Sequence, residues 1–185
     1  MIQNKEIKTL DKLFDEAVNY AEENNISKII LFIKESKNIL NLKQKVEGKN
    51  IQVIATTFPM NQPLYLAGED GDIEEYNVDI FKNSEKEKLE ENDIVLVSGT
   101  MPLDPVIVPG NTFNPYTSIL KTFSLIGEGM DLAIQSVLMT TDAGATIPGE
   151  QVLTLNAKII LDVNTCNSRF LYHNNKGLKI NQIIK

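Results

Sequence analysis

The chain has 185 residues, 42% of them hydrophobic, which suits one domain with a real core. Its net charge is −7, and its basic residues are scattered lysines with one arginine, Arg169; nucleic acid is excluded as the expected partner, because a basic face that neutralises phosphate supplies most of that affinity. No apolar run approaches the roughly 18–20 residues that span a bilayer, the opening stretch MIQNKEIKTL lacks a signal-peptide core, and a lone cysteine, Cys166, makes no disulfide within the chain, so the expected setting is the cytoplasm, away from membranes.

Residues 9–25 carry Leu10, Leu13, Phe14, Ala17, Val18 and Ala21 at helical spacing, and Asn24 and Asn25 suit its end. KIILFI (28–33) is a short continuous apolar run, which predicts a strand buried on both faces. A weaker helix follows at 35–48 and a β-branched strand at 51–57. Residues 58–83 contain prolines, glycines and an acidic cluster, and read as a long connection or small insertion with room for a hairpin. A short helix at 84–93 and a third buried strand at 94–99 complete three helix–strand alternations. These three strands are expected to be parallel and central in one sheet.

Residues 100–114 are broken by prolines and read as loop. A helix with proline at its first position is predicted at 115–123. A largely buried one is predicted at 130–142, where Met130, Ile134, Val137, Leu138 and Thr141 share a face that Ala133 broadens. The Gly-x-Gly at 127–129 reads as a joint between those helices, since Leu132 stands where a dinucleotide fingerprint needs glycine. QVLTL (151–155) and KIILDV (158–163) are two strands close enough for an antiparallel return, and 169–184 reads as strand, HNNKG turn, strand.

The stretch MTTDAGATIPGEQVLTL (139–155), and weakly 167–184, resembles a family of stand-alone proteins related to the C-terminal α/β domain of pyruvate kinase. That resemblance implies a three-layer α/β/α fold with a mixed, mostly parallel sheet and one antiparallel strand near the C-terminal end. It also implies a phosphorylated metabolite as partner, with flavin mononucleotide as the cofactor some relatives hold. The chain departs from those relatives in two places. The turn after the first strand, KESKN (34–38), has no glycine, and only Asn156 and Ala157 separate the strands that flank the relatives' longer Gly- and Arg-containing loop.

In a doubly wound sheet, ligands settle beyond the carboxyl ends of the strands. The polar residues expected there are Lys34, Ser36 and Asn38, then Thr56 and Thr57, then Ser98, Gly99 and Thr100. Ser36 and the N–H groups of its helix could meet an anion with Lys34 or Lys37 assisting, against the opposing charge of Glu35, or Ser36 could simply cap the helix. Asp142 sits unfavourably near a helix C-terminus and is expected to order the loop 143–150 or to meet a ligand. Cys166 and the single histidine, His173, do not make a metal site or a nucleophile–base set, and no elbow serine or phosphate-loop motif occurs. The expected function is small-molecule binding without evident catalytic machinery. The alternative is an assembly domain that has lost its ligand site, with a homo-oligomer left open.

Overall fold

The computed structural model describes residues 2–33, 35–59, 64–67, 73–76, 83–104 and 114–185. The elements run α1 (Ile2–Glu23), β1 (Lys28–Phe32), α2 (Ser36–Lys45), β2 (Gln52–Thr57), β3 (Leu64–Ala67), β4 (Ile73–Tyr76), α3 (Asn83–Glu91), β5 (Val95–Ser98), α4 (Pro115–Ile126), α5 (Met130–Asp142), β6 (Gln151–Leu155), β7 (Ile160–Asn164) and β8 (Lys179–Ile183). β3 and β4 pair as a separate antiparallel hairpin inside the 58–83 connection.

The main sheet has the order β5-β2-β1-β6-β7-β8. β5, β2, β1 and β6 are mutually parallel, and β7 runs antiparallel to both β6 and β8. The fold is therefore three-layer α/β/α with a mixed, mostly parallel sheet. The strands are parallel as expected, but β5 is an edge strand rather than a central one. Only Val97 of its four residues is buried and Val95 is 38% exposed, as suits a strand at the border of a sheet.

Alternation within each strand sorts the two cores. Ile29 and Leu31 of β1, Val53 and Ala55 of β2, and Leu153 and Leu155 of β6 face α1, α2 and α3. Ile30 and Phe32, Ile54 and Val152 face α5 and the partly buried side of α4. A strand of period two with apolar residues on both faces must be covered twice, and the helices supply both covers. α5 is buried at ten positions, from Met130 to Thr141. Polar side chains seat it on the sheet: the Thr56 hydroxyl donates to Ser136 Oγ at 2.9 Å, Ser136 Oγ donates to Leu132 O at 2.8 Å, and Thr154 Oγ1 donates to Ala133 O at 3.1 Å.

α1 begins earlier than its apolar spacing indicates, and Asn25, at φ 56°, turns the chain out of it. At the other end, residues 168–170 form a single 3₁₀ turn where a strand was expected. The Asp142 carboxylate accepts from Asn167 Nδ2 and Ser168 N–H at 3.0 and 3.1 Å, and the Phe170 N–H bonds back to Asn167 O. These local bonds displace a ladder.

β8 is exposed along its whole length, so its attachment needs another source. Asp162, on β7, is only 3% exposed and accepts from Tyr20 Oη at 3.0 Å, Gln151 Nε2 at 2.9 Å and Asn181 Nδ2 at 2.9 Å. Asp162 pairs with Gln182 while Val163 pairs with Ile180, so Asn181 is the extra residue of a β-bulge that lets its amide reach the carboxylate. A buried carboxylate without a cation is tolerated when donors surround it, and these donors tie α1, β6 and β8 to one point. Asp162→Asn should lower stability by about 1.5–3 kcal/mol and speed amide exchange in 179–183. Denaturation and hydrogen exchange check this, and an unchanged midpoint with unchanged β8 protection would rule the clamp out.

Candidate functional site

The strand order fixes where a site can open. From β1 the chain winds outward through β2 to β5, then returns by α5 to place β6 on the other flank of β1. Winding reverses between β1 and β6, and a crevice is left beyond their carboxyl ends. A cleft of about 430 Å³ lies there, within the usual range of ligand sites. Its floor is apolar, built from Phe14 of α1, Leu31 and Phe32 of β1, Ile33 beyond it, and Leu132 of α5. The Phe32 ring is held edge-on by Phe58, with centroids 4.9 Å apart.

The rim is polar. α2 contributes Asn38, with Glu35 just before it; the α5 start contributes Glu128, Gly129 and Asp131; the β6–β7 turn contributes Asn156 and Lys158. Asn156 locks two of these pieces together. Its Nδ2 donates to Gly129 O at 2.8 Å, and its Oδ1 accepts from the Lys158 N–H at 2.9 Å. Gly129 caps α5 at φ 83°, and a Cβ there would lie 2.7 Å from Asn156 Oδ1. The left-handed backbone angle favours glycine, and a Cβ there would also displace the Asn156 amide that bridges the two pieces. The Gly-x-Gly is a joint between α4 and α5, with Gly127 closing one helix and Gly129 opening the next.

Two helices begin at this cleft, and their N-terminal N–H groups favour negative charge. The protein's own carboxylates already occupy that field. Ser36 Oγ donates to Glu85 Oε1 at 2.7 Å, and Glu35 pairs with Lys37 at 2.6 Å. Glu128 pairs with Lys158 at 2.9 Å, and Asp131 lies in the first turn of α5. Asp104, half-buried near this turn, has its carboxyl pushed above the usual range by burial and then by the charge of Asp131.

Of the residues expected at the carboxyl edge, Asn38 lines the cleft. Ser36 is the first residue of α2 and ties it to α3 instead of capping it. Thr56 and Thr57 are both buried; Thr56 faces α5, where its hydroxyl donates to Ser136 Oγ, and strand alternation turns Thr57 to the opposite face of β2. Ser98 donates to Phe58 O at 3.1 Å, Gly99 follows β5, and Thr100 is exposed. Lys34 lies outside the described residues. Asp142 is at the far end of α5, away from the crevice, and it organises residues 167–168 rather than the loop 143–150. That loop is ordered by threonines: Thr141 and Thr146 share a hydroxyl bond of 2.9 Å, Thr140 O accepts from the Ala145 N–H, and Gly144 turns at φ 76°.

Sequence reasoning missed Leu132, Glu128, Asp131, Asn156 and Lys158. Their common signal is the strand order itself, since only the adjacency of β6 to β1 brings them together. Among the described residues, no group of three His, Cys, Asp or Glu side chains could hold a metal ion, and no helix is long and apolar enough to cross a membrane. Cys166 is fully buried, and burial raises its thiol. Compared with known proteins, the chain matches no protein-family model and no curated protein.

Because the folded-state pKa of Asp104 is raised, the folded form binds its proton more tightly than the unfolded form. Its contribution is favourable below the ordinary carboxyl pKa and is lost as pH rises through the raised value. Asp104→Asn should therefore raise the denaturant midpoint at pH 7, with the gain fading on acidification below that value. A pH series of urea denaturations on both proteins measures it, and a gain that stayed constant with pH would remove the titration as its cause.

Proposed function

We propose that the protein is a cytoplasmic small-molecule-binding domain whose ligand lies in the cleft between the carboxyl ends of β1 and β6. One observation carries the reading: an apolar cleft of ligand size sits at the point where the sheet's winding reverses. The resemblance to the pyruvate kinase C-terminal domain belongs to the same proposal and is supported by β7, the antiparallel strand near the C-terminal end. A phosphorylated metabolite or flavin nucleotide is the ligand class that resemblance implies. The rim narrows this class, because Glu35, Glu128 and Asp131 oppose a phosphate while Phe32 and Leu132 welcome a flat apolar body.

Thermal-shift and native mass measurements with riboflavin, flavin mononucleotide and sugar phosphates test this reading. A ligand at 100 times its Kd should add about 2.7 kcal/mol of stability. Riboflavin is expected to bind at least as well as its phosphate, and Leu132→Lys should abolish the shift. Saturable binding that survives Leu132→Lys would move the site elsewhere, and no retained or added ligand from any of these classes would end the proposal.

A second reading, a homo-oligomeric assembly domain, is favoured by α4. This helix is rich in apolar residues, none of its residues is fully buried, and Leu125, Ile126 and Tyr116 are 87%, 54% and 47% exposed. Under it, sedimentation should show an oligomer that Leu125→Glu with Ile126→Glu converts to a folded monomer. A monomeric parent at tens of micromolar, on the order of ordinary assay concentrations, would dismiss it.

A further inference from the structure

Residues 163–185 hold no acidic side chain, in a chain whose net charge is −7; of their basic residues Arg169 and Lys176 precede β8 and Lys179 opens it, while Lys185 lies past its far end, where its carbonyl meets the Ile160 N–H. Charge of that sign, segregated in an acidic protein, creates a local positive potential. A cleft of about 550 Å³ opens in this region, at the end of the sheet opposite the first, and Asn164, Asn167, Asn175, Phe170, Lys176 and Lys179 line it. None of its lining residues is acidic.

The carboxylates nearest in sequence, Asp142, Glu150 and Asp162, are already engaged, Asp162 with Tyr20, Gln151 and Asn181. Asp142 accepts from Asn167 Nδ2 and the Ser168 N–H, and Glu150 holds Lys28 at 3.0 Å and the Ile147 N–H at 2.9 Å. Among the described residues neither Lys176 nor Lys179 has a carboxylate partner. Lys176 Nζ lies 5.7 Å from the centre of the Phe170 ring, a cation–π contact that keeps it beside an apolar wall. The amides of Asn164 and Asn167 each spend one N–H on a neighbour, Gly149 O and Asp142 Oδ1, and keep a second.

The turn that presents Asn175 and Lys176 is fixed by its own sequence. His173 Nδ1 accepts from the N–H groups of Asn175 and Lys176, both at 3.2 Å, and the Gly177 N–H closes on His173 O at 2.7 Å. A Cβ at 177 would lie 2.6 Å from that same oxygen, so HNNKG needs its histidine and its glycine to hold this shape. Amide donors, two ammonium groups and an aromatic wall around a carboxylate-free hollow match an oxyanion attached to an apolar or planar body.

We infer that this cleft is a second ligand site, one that takes a small oxyanion, phosphate or carboxylate, through Lys176, Lys179 and the asparagine amides. Amide NMR titrations with inorganic phosphate and with acetate, at constant ionic strength against chloride, test it and distinguish the two oxyanions. The expected result is saturable shifts at 164, 167 and 175–179 with at least one of them. Lys176→Gln with Lys179→Gln should weaken binding about tenfold or more, and Lys179→Gln alone roughly threefold, the size of losing one charged contact. Lys158→Gln, at the first cleft, should leave this binding unchanged. Shifts no different from those of chloride, or full-strength binding by folded lysine variants, would overturn the inference.

Discussion

A strand with hydrogen-bonded neighbours on both edges and helices over both faces has no surface of its own, and β1 is that strand. Ile29, Ile30 and Leu31 are each essentially inaccessible. Its neighbours β2 and β6 both run parallel to it, so each must be reached by a crossover over one face or the other. The α2 crossover covers the face of Ile29 and Leu31, and α5 covers that of Ile30 and Phe32. Two crossovers leaving in opposite directions cannot both fill the space beyond the carboxyl end of β1. The first cleft is that unfilled space, and its apolar floor is the end of the two cores.

α5 carries this arrangement across the molecule. Thirteen helical residues rise about 20 Å, close to the length of the strands beneath. One end is pinned through Asn156 and Gly129 at the first cleft. The other end reaches, through Asp142, the segment that lines the second. The two clefts are opposite in character: the first sets carboxylates around an apolar floor, and the second sets ammonium and amide groups around an aromatic wall. The two ends of α5 thus face surroundings of opposite charge.

The continuous apolar stretches within 28–33, 51–57 and 151–155 declare their strands, because burial on both faces favours apolar residues at successive positions. The helical spacing of Met130, Ile134, Val137 and Leu138 declares α5 for the same reason. The edge position of β5 was not legible, since a run such as IVLVSG looks alike in the middle or at the border of a sheet. The crevice rule pointed to the carboxyl edge of the sheet, where Asn38 after β1 lines the first cleft, whereas at β2 and β5 the hydroxyls of Thr56 and Ser98 are spent on Ser136 of α5 and on the Phe58 carbonyl. Asn156 and Asp131 lie 25 residues apart, and nothing local announces that they border one cleft. The unfavourable position of Asp142 was visible; its partners at 167–168 were not, because they depend on where β7 delivers the chain.

The bulge at Asn181 has a consequence for how the molecule behaves in company. A sheet border with free N–H and C=O groups invites a strand from another copy, and a flat, regular border invites it most. Here one border is β5, with four residues, and the other is β8, whose register slips by one residue in its middle and which begins with Lys179. An incoming strand that matched the first half of β8 would be out of step with the second. The same asparagine that anchors the final strand to a buried carboxylate thus makes it a poor template for further chains, and leaves the helical layers as the faces through which copies can meet without fibre-like growth.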